Sequence, residues 1–174
     1  MLLFVEASRG LKTGEEAVVT PLEPTTGRVM IHPIVLVPIL RAGLGMVDGI
    51  WPLVPTAQLA HIGIYRDEET ARPHPYYSKF GPALGTADVF LLDPMLATGQ
   101  SAVEAVNQLK AHGATRLRFI CLLSAPCGLE TFHAAHPDVP IFTAAIDRGL
   151  NAQSYILPGL GDAGDRYFGT VAVG

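Results

Sequence analysis

The chain has 174 residues, of which 49% are hydrophobic and 16% are charged, and this size and composition predict one domain, residues 1–174, around a single core. A net charge of −4 without any cluster of lysines or arginines argues against a nucleic-acid-binding protein. The apolar runs are only a few residues long and no secretory signal pattern opens the chain, so we predict no membrane span and a cytoplasmic location. The histidines and cysteines form no HExxH or CxxC pattern, which argues against a structural zinc site.

Residues 1–30 are weakly patterned, with a predicted short strand at residues 17–20 and a turn-rich connector at residues 21–27. The first strong signal is the β-branched apolar run Ile34–Leu40, which predicts a buried strand. A glycine-rich loop with the spacing GxGxxxG follows this run. That spacing is one residue longer than the dinucleotide-binding fingerprint, and no acidic residue follows a second strand at the expected distance. A redox enzyme on a dinucleotide-binding fold is therefore disfavoured.

Arg41 stands at the end of this predicted strand, where its side chain has two interpretations. Its planar guanidinium suits the oxygens of a phosphate or a diphosphate. The alternative is an ion pair with a carboxylate at the edge of the core.

A third strand is predicted at residues 60–65, followed by a long polar segment at residues 66–79. Segments of this length inside a compact domain are usually lids, binding loops or disordered stretches. A flap carrying Arg66 could close over an anionic ligand and exclude water. The alternative is a solvated hairpin with no role in binding.

The segment VFLLDPMLATGQS, residues 89–101, is the strongest candidate for a binding site. Its apolar run predicts a buried parallel strand, and ligands of such sheets bind outside the carboxyl ends of the strands. Asp93 at the strand end can accept hydrogen bonds from sugar hydroxyls. The loop then enters a helix predicted at residues 101–113, whose first amides have no partner and can bind an anion. The segment indicates a seat for a phosphorylated sugar, and the alternative is an ordinary turn.

The second half of the chain continues the alternation of strands and helices. A strand is predicted at residues 117–123, a helix at residues 127–136 and a strand at Ile141–Ile146. This order predicts an α/β fold with a mostly parallel central sheet flanked by helices on both faces. The tail at residues 156–169 combines glycines and aspartates with apolar anchors, and its backbone could complement a small, flat, amide-like ligand.

Four segments together resemble the uracil phosphoribosyltransferase family. They are PILRAGLGMVDG at residues 38–49, YRDEET at residues 65–70, DPMLATGQS at residues 93–101 and GLN…YI.PGLGDAGDR.FGT at residues 149–170. The resemblance implies the type I phosphoribosyltransferase fold, with a small hood and a flexible flap. It also implies pyrimidine salvage, in which uracil and 5-phosphoribosyl 1-diphosphate (PRPP) give UMP and diphosphate.

The resemblance also implies a role for particular residues of this chain. The residues expected at the chemistry are Asp93, Arg66 and Asp162. The residues expected to bind PRPP are Arg41, Arg66, Asp93, Pro94, Met95, Leu96, Ala97, Thr98, Gly99, Gln100, Ser101 and Asp162. The residues expected to bind uracil are Ile156, Gly161, Asp162 and Ala163. Mg²⁺ is the implied cofactor, held mainly by PRPP, with Asp162 as the candidate protein ligand.

Two departures from the family pattern qualify these expectations. Most family members carry glycine at the position of Gln100, and they extend further before the position of Met1. If the position requires positive φ or has no room for a side chain, Gln100 would weaken PRPP binding, whereas a helical backbone would make it harmless. The expected assembly is a homo-oligomer, and activation by GTP, known in some relatives, is a further expectation. The second hypothesis is a regulatory protein that senses PRPP without turnover, and the acidic composition disfavours a variant that binds RNA.

Overall fold

The computed structural model describes residues 1–66 and 73–170. The strands of this range are β1 (Thr13–Val19), β2 (Pro24–Met30), β3 (Ile34–Leu40), β4 (Gln58–Leu59), β5 (His61–Arg66), β6 (Pro73–Lys79), β7 (Asp88–Leu92), β8 (Met95–Leu96), β9 (Arg116–Ser124), β10 (Ile141–Ile146), β11 (Gly149–Leu150) and β12 (Ile156–Leu157). The helices of this range are α1 (Leu2–Ser8), α2 (Leu44–Val47), α3 (Gln100–Ala111), α4 (Pro126–Ala135) and α5 (Ala163–Phe168), with one 3-10 turn at Trp51–Leu53.

The central sheet has the strand order β10-β9-β7-β3-β5-β6, with β4 paired to β3 and β8 paired to β9. Every pair in it is parallel except β5 with β6. Strand β7 lies near the middle and all five of its residues are buried, as expected for a strand covered on both faces. The predicted α/β fold with a mostly parallel sheet is confirmed.

Helices cover both faces of this sheet. On one face, Val106 of α3 and Phe132 of α4 belong to the same buried cluster as Phe119 of β9. On the other face, Phe4 of α1 packs on Phe90 of β7, with ring centroids 4.8 Å apart. Burial of these apolar faces is what holds the helices against the sheet.

The N-terminal prediction was wrong in its bounds. Instead of a short strand and a connector at residues 17–27, β1 and β2 form an antiparallel hairpin that pairs Thr13 with Met30 and Val19 with Pro24. Nearly all of its residues are exposed, so it lacks the apolar alternation by which a half-buried strand is recognised. The turn is closed by Thr20, whose hydroxyl accepts hydrogen bonds from the amides of Leu22 and Glu23.

The polar segment after β5 returns as β6, so the flanks of the predicted flap form an antiparallel pair. The last described pair joins Arg66 to Pro73, and the tip of the flap lies outside the described residues, as does the side chain of Arg66. Closure of this flap over a ligand stays a prediction. None of the helices in residues 1–66 and 73–170 is long and apolar enough to cross a membrane.

Candidate functional site

Two sequence-predicted residues follow neighbouring strands at the same edge of the sheet. Arg41 comes after β3 and Asp93 comes after β7, and these strands are paired in parallel up to Pro38 with Leu92. The chain leaves β3 toward β5 on one side and later returns to β7 on the other. The strand order therefore reverses between β3 and β7, and ligands of open parallel sheets bind at such a point.

The loop after β3 can pass this edge only because position 43 is glycine. A Cβ atom on Gly43 would press on the carbonyl oxygen of Leu92 and lie 2.7 Å from the carbonyl oxygen of Ile39. Both contacts are with backbone, which cannot move aside as a side chain can. Gly43 thus lets Arg41 and the end of β7 approach each other closely.

Arg41 reaches solvent and makes only weak contacts with the rest of the chain. Its Nη2 lies 3.5 Å from Oδ1 of Asp165, and its guanidinium lies 5.6 Å from the centre of the Phe168 ring. More than half of the side chain is exposed, and exposed pairs of this length contribute little to stability. The alternative role of Arg41, an ion pair with a carboxylate at the core edge, is met in part by the 3.5 Å contact with the half-buried Asp165. Its guanidinium is available to a ligand.

A cleft of about 510 Å³ joins three segments that are distant in the sequence. Its walls come from the end of β3, from the two flap strands and from the loop before α5. The lining residues are Leu40, Arg41, Ala42, Ile64, Tyr65, Tyr76, Asp162 and Gly164. The predicted residues Arg41 and Asp162 therefore lie in one cleft.

The two tyrosines of this cleft were not predicted. Tyr65 stacks on His74 across the flap, and Tyr76 covers Gly63 so closely that a Cβ atom there would lie 2.5 Å from its ring. A signal for this contact was present, since an isolated glycine inside a strand pattern often marks a close approach. That signal does not reveal which side chain makes the approach.

Asp93 is a half-buried carboxyl with a strongly perturbed titration. Its pKa is raised to about 7, mainly by burial and in smaller part by the negative charge of Asp162, whereas a hydrogen bond from the Met95 amide to Oδ1, 3.4 Å long, opposes the rise. Perturbed carboxyls at the edge of a cleft are candidates for function. The electrostatic influence of Asp162 on Asp93 also indicates that both carboxyls belong to one site.

The loop after Asp93 divides into a bound part and a free part. The carbonyl oxygen of Pro94 accepts from the amides of Leu122 and Leu123, and that of Leu96 accepts from the amide of Ala125, at 2.9 to 3.0 Å. Pro94, Met95 and Leu96 are thus fixed to β9 and the residue after it.

The backbone amides of the next five residues, 97–101, form the free part. Within the described residues, no amide of residues 97–101 donates a hydrogen bond to a protein group. Five consecutive free amides at the start of a helix are a typical anion site, because they offer donors and the positive end of the helix dipole. The predicted phosphate seat therefore has the donors that it needs.

Gly99 and Gly128 let this loop pack against α4. Gly99 precedes α3 with a φ of +83°, and a Cβ atom on it would lie 2.7 Å from the carbonyl oxygen of Gly128. A Cβ atom on Gly128 would in turn press on the carbonyl oxygen of Ala97 and lie 2.8 Å from that of Leu96. The contact is therefore backbone against backbone, and both glycines are required by it.

The first helical residue is Gln100, one residue earlier than the predicted start of the helix. Gln100 is exposed and its backbone is helical, so positive φ is needed at Gly99 and not at Gln100. The backbone at this position is thus helical, which is the case in which Gln100 is expected to be harmless, and its effect on PRPP binding stays a prediction.

The tail after β12 is an ordered loop held by side chains. Ile156 is buried, so only its backbone is available to a ligand. Asp147 accepts a hydrogen bond from the amide of Gly159 at 2.9 Å, and Asp162 accepts one from the amide of Asp165 at 2.8 Å as the cap of α5. Of the predicted uracil-binding residues, Ile156 thus lies in β12, Gly161 and Asp162 lie in the loop after it, and Ala163 is the first residue of α5.

Asp147 is a residue whose function sequence reasoning missed. The only signal was its position at the end of a strand, since the partner amide lies twelve residues away in a glycine-rich loop.

The sheet order and the site at its carboxyl edge define a phosphoribosyltransferase-type fold. A purine phosphoribosyltransferase from Pyrococcus horikoshii superposes with a TM-score of 0.50 at 20% identity, over 64% of this chain and 70% of that one, which is a likeness of fold alone. The AQ2163 protein from Aquifex aeolicus superposes with a TM-score of 0.93 at 37% identity, over 99% of this chain and 83% of that one.

Sequence comparison gives the family. The model of the family described as uracil phosphoribosyltransferase matches residues 1–170. The uracil phosphoribosyltransferase of Levilactobacillus brevis is 49% identical over 97% of this chain and 81% of its own length. That of Ligilactobacillus salivarius is 51% identical over the same shares of the two chains. The chain belongs to the uracil phosphoribosyltransferase family.

Proposed function

We propose that this chain transfers the 5-phosphoribosyl group from PRPP to uracil, giving UMP and diphosphate. The observation that carries the proposal is the run of free amides at residues 97–101, directly after Asp93 and at the sheet edge shared with Arg41. In a phosphorylated ribose, the phosphate group needs hydrogen-bond donors and the neighbouring ribose hydroxyls need an acceptor. The free amides and Asp93 supply these two kinds of group side by side. Membership of the family supports uracil as the second substrate.

In the reaction, the bond from ribose C1 to the diphosphate oxygen breaks and a bond from uracil N1 to C1 forms, with loss of the N1 proton. Positive charge builds on the ribose and negative charge on the leaving group. Catalysis of such a step depends mainly on positioning and on electrostatic stabilisation. No protein nucleophile is required.

The loop at residues 97–101 would bind the 5′-phosphate through its free amides, assisted by the hydroxyls of Thr98 and Ser101. Asp93 in its charged form would accept hydrogen bonds from the ribose hydroxyls and stabilise the positive charge on the ring. Pro94 offers no second carboxylate, so ribose recognition rests on Asp93 alone at this strand end.

The cleft beside Asp93 would hold the diphosphate. Arg41 lines it with an exposed guanidinium, which suits the oxygens of the leaving group. Arg66 ends β5 and would approach from the flap, so that closure excludes water from the site. The uracil edge would meet the backbone of Ile156 and of residues 161–163.

Mg²⁺ fits this arrangement as an ion held mainly by its substrate. Among the described residues no three His, Cys, Asp or Glu side chains cluster as a metal site, whereas Asp93 and Asp162 supply negative charge close together. Mg²⁺ usually keeps several waters and binds to one or two carboxylates and substrate phosphates. We propose Asp162 as the protein group nearest to it. The ion would supply positive charge to the leaving diphosphate.

The decisive experiment measures UMP formation from uracil and PRPP by purified protein, with Mg²⁺ and with a chelator. We expect product that depends on both substrates and on Mg²⁺, and its absence from folded protein would contradict the proposal. PRPP binding without turnover would favour the regulatory alternative. Addition of GTP to the same assay tests the expected activation.

A further inference from the structure

The last helix is attached to the loop after β3 by the side chain of Tyr167. Its ring lies over Gly45, where a Cβ atom would be 2.8 Å from the ring. Its hydroxyl donates a hydrogen bond of 2.9 Å to Oδ2 of Asp48, across 119 residues of sequence. Tyr167 therefore contacts both the body and the end of α2. We call residues 41–48, which comprise α2, the turn before it and Asp48 at its end, the Arg41 loop.

The Arg41 side chain is itself contacted from α5. Its contacts are the 3.5 Å pair with Asp165 and the ring of Phe168, and both residues belong to this helix. Tyr167 of the same helix contacts the Arg41 loop further along, at Gly45 and Asp48, so α5 contacts both the Arg41 side chain and the loop that carries it.

The uracil side of the cleft has its own attachments. Asp147 holds the amide of Gly159, and Asp162 caps α5 through the amide of Asp165. Neither bond involves Tyr167. Loss of Tyr167 should therefore disturb the diphosphate side of the cleft and leave the uracil side in place.

We propose that Tyr167 is a positioning residue that sets the Arg41 loop for binding of the diphosphate of PRPP. It acts through Gly45 and Asp48 and touches no substrate itself. This inference rests on the proposed function, because it assigns the Arg41 side of the cleft to diphosphate.

The test compares KM values for the two substrates in four single variants and one double variant. Tyr167→Ala is expected to raise KM for PRPP about tenfold, while KM for uracil and kcat stay within about threefold of the parent values. Tyr167→Phe keeps the ring and loses only the exposed hydrogen bond, so a rise of about two- to fourfold is expected. Tyr77→Phe is the matched control, since its hydroxyl has no hydrogen bond within the described residues and its side chain does not line the cleft.

Gly45→Ala tests the ring contact from the other side. Alone, the added methyl group displaces the Tyr167 ring and is expected to raise KM for PRPP. In the Tyr167→Ala background the methyl group has room, so Gly45→Ala is expected to add nothing further. Such non-additivity is the sign of a direct contact, and a merely structural role would not produce it together with a selective change in KM.

Unchanged KM for PRPP in Tyr167→Ala would overturn the inference, and so would equal rises in KM for both substrates. Absence of UMP with the parent protein would instead contradict the proposed function. In that case calorimetry measures the affinity of the same variants for PRPP, and the inference requires that the Tyr167→Ala protein bind PRPP about tenfold more weakly than the parent. A parent protein that neither turns over nor binds PRPP overturns both.

Discussion

At the scale of single residues, Asp93 has the property that most clearly separates this site from an ordinary turn. A carboxyl whose pKa is raised to about 7 carries its charge only in part near neutral pH. In the role proposed for Asp93, the charged form is the stronger acceptor for ribose hydroxyls. The titration of this one residue would then link substrate binding to pH.

We expect kcat/KM for PRPP to rise with pH through about 7 in the parent protein. Asp93→Asn keeps the acceptor for the Met95 amide but has no charge to gain, so its activity should be lower by 10-fold or more and should lack this rise. Initial rates between pH 5.5 and 9 give the comparison. Equal activity of parent and variant would show that Asp93 has another role.

Through Asp93, the free energy of unfolding should fall as pH rises, which is opposite to the expected change in activity. Because the folded-state pKa lies above the ordinary value of 3.8, the native state binds the proton more tightly than the unfolded chain, and this stabilisation is lost as pH rises from about 4 through about 7. We expect Asp93→Asn to gain stability relative to the parent by on the order of 2–4 kcal/mol between pH 5 and pH 8. Urea unfolding at the two pH values measures it, and a constant difference would contradict the raised pKa.

Gln100 and Gly99 stand next to each other but should respond differently to substitution. For Gln100→Gly we expect PRPP affinity within about twofold of the parent and a loss of about 0.5–1 kcal/mol of stability, since a helical, exposed position loses helix propensity. Calorimetry and urea unfolding measure both quantities. A marked gain in PRPP affinity would show that Gln100 hinders the site.

For Gly99→Ala we expect a rise of at least 10-fold in KM for PRPP and a loss of about 1–3 kcal/mol of stability, because the position combines positive φ with a backbone contact to Gly128. Gly10→Ala is the control, since a Cβ atom there meets nothing within 4 Å. Retained PRPP binding in Gly99→Ala would mean that the loop can move away from α4 without loss.

At the scale of elements, sequence patterns were strongest where a strand is buried on both faces. The predicted bounds of β3, which is buried along nearly its whole length, agree with the structure, because its apolar, β-branched run ends at Arg41. The predicted bounds of β10 also agree, although this strand is half-buried to exposed, because its run ends at Asp147. The patterns were weakest for β1 and β2, which bury almost nothing. Site residues that follow strand ends, such as Arg41 and Asp93, could be predicted. Tyr76 and Tyr167 could not, since their partners are fixed only by the folding of distant segments.

The flap gives a prediction at this scale. Arg66 ends β5 beside the cleft, and its side chain lies outside the described part of the chain. We expect Arg66→Ala to lower kcat/KM by roughly 10²–10³-fold, as for removal of an electrostatic contact to a leaving group, with little change in thermal stability. Lys79→Ala, at the far end of β6, is the control. A large fall in melting temperature would show that Arg66 is structural.

At the scale of the whole molecule, the hairpin of β1 and β2 exposes apolar side chains that a lone chain does not cover. Val19 and Leu22 are 81% and 96% exposed, and Met30 and Ile31 are also exposed. Surfaces of this kind often mark contacts with another subunit. They support the expected homo-oligomer.

We therefore expect light scattering to give a mass of at least two chains, against 18.5 kDa for one. A Val19→Asp and Leu22→Asp double variant should shift the mass toward that of one chain, and Glu15→Gln in the same hairpin should not. The mass of one chain for the parent protein would contradict this expectation. An unchanged mass in the double variant would mean that another surface forms the contact between subunits.

The free amides of residues 97–101 also bear on how this gene can tolerate mutation. A site built from main-chain donors is present whatever side chains the loop carries, so many substitutions at Thr98 or Gln100 should leave anion binding in place. The vulnerable positions are those that shape the main chain, Gly99 and its neighbour in space, Gly128. Random mutagenesis with selection for loss of function should accordingly recover replacements of these two glycines more often than replacements of the exposed Gln100.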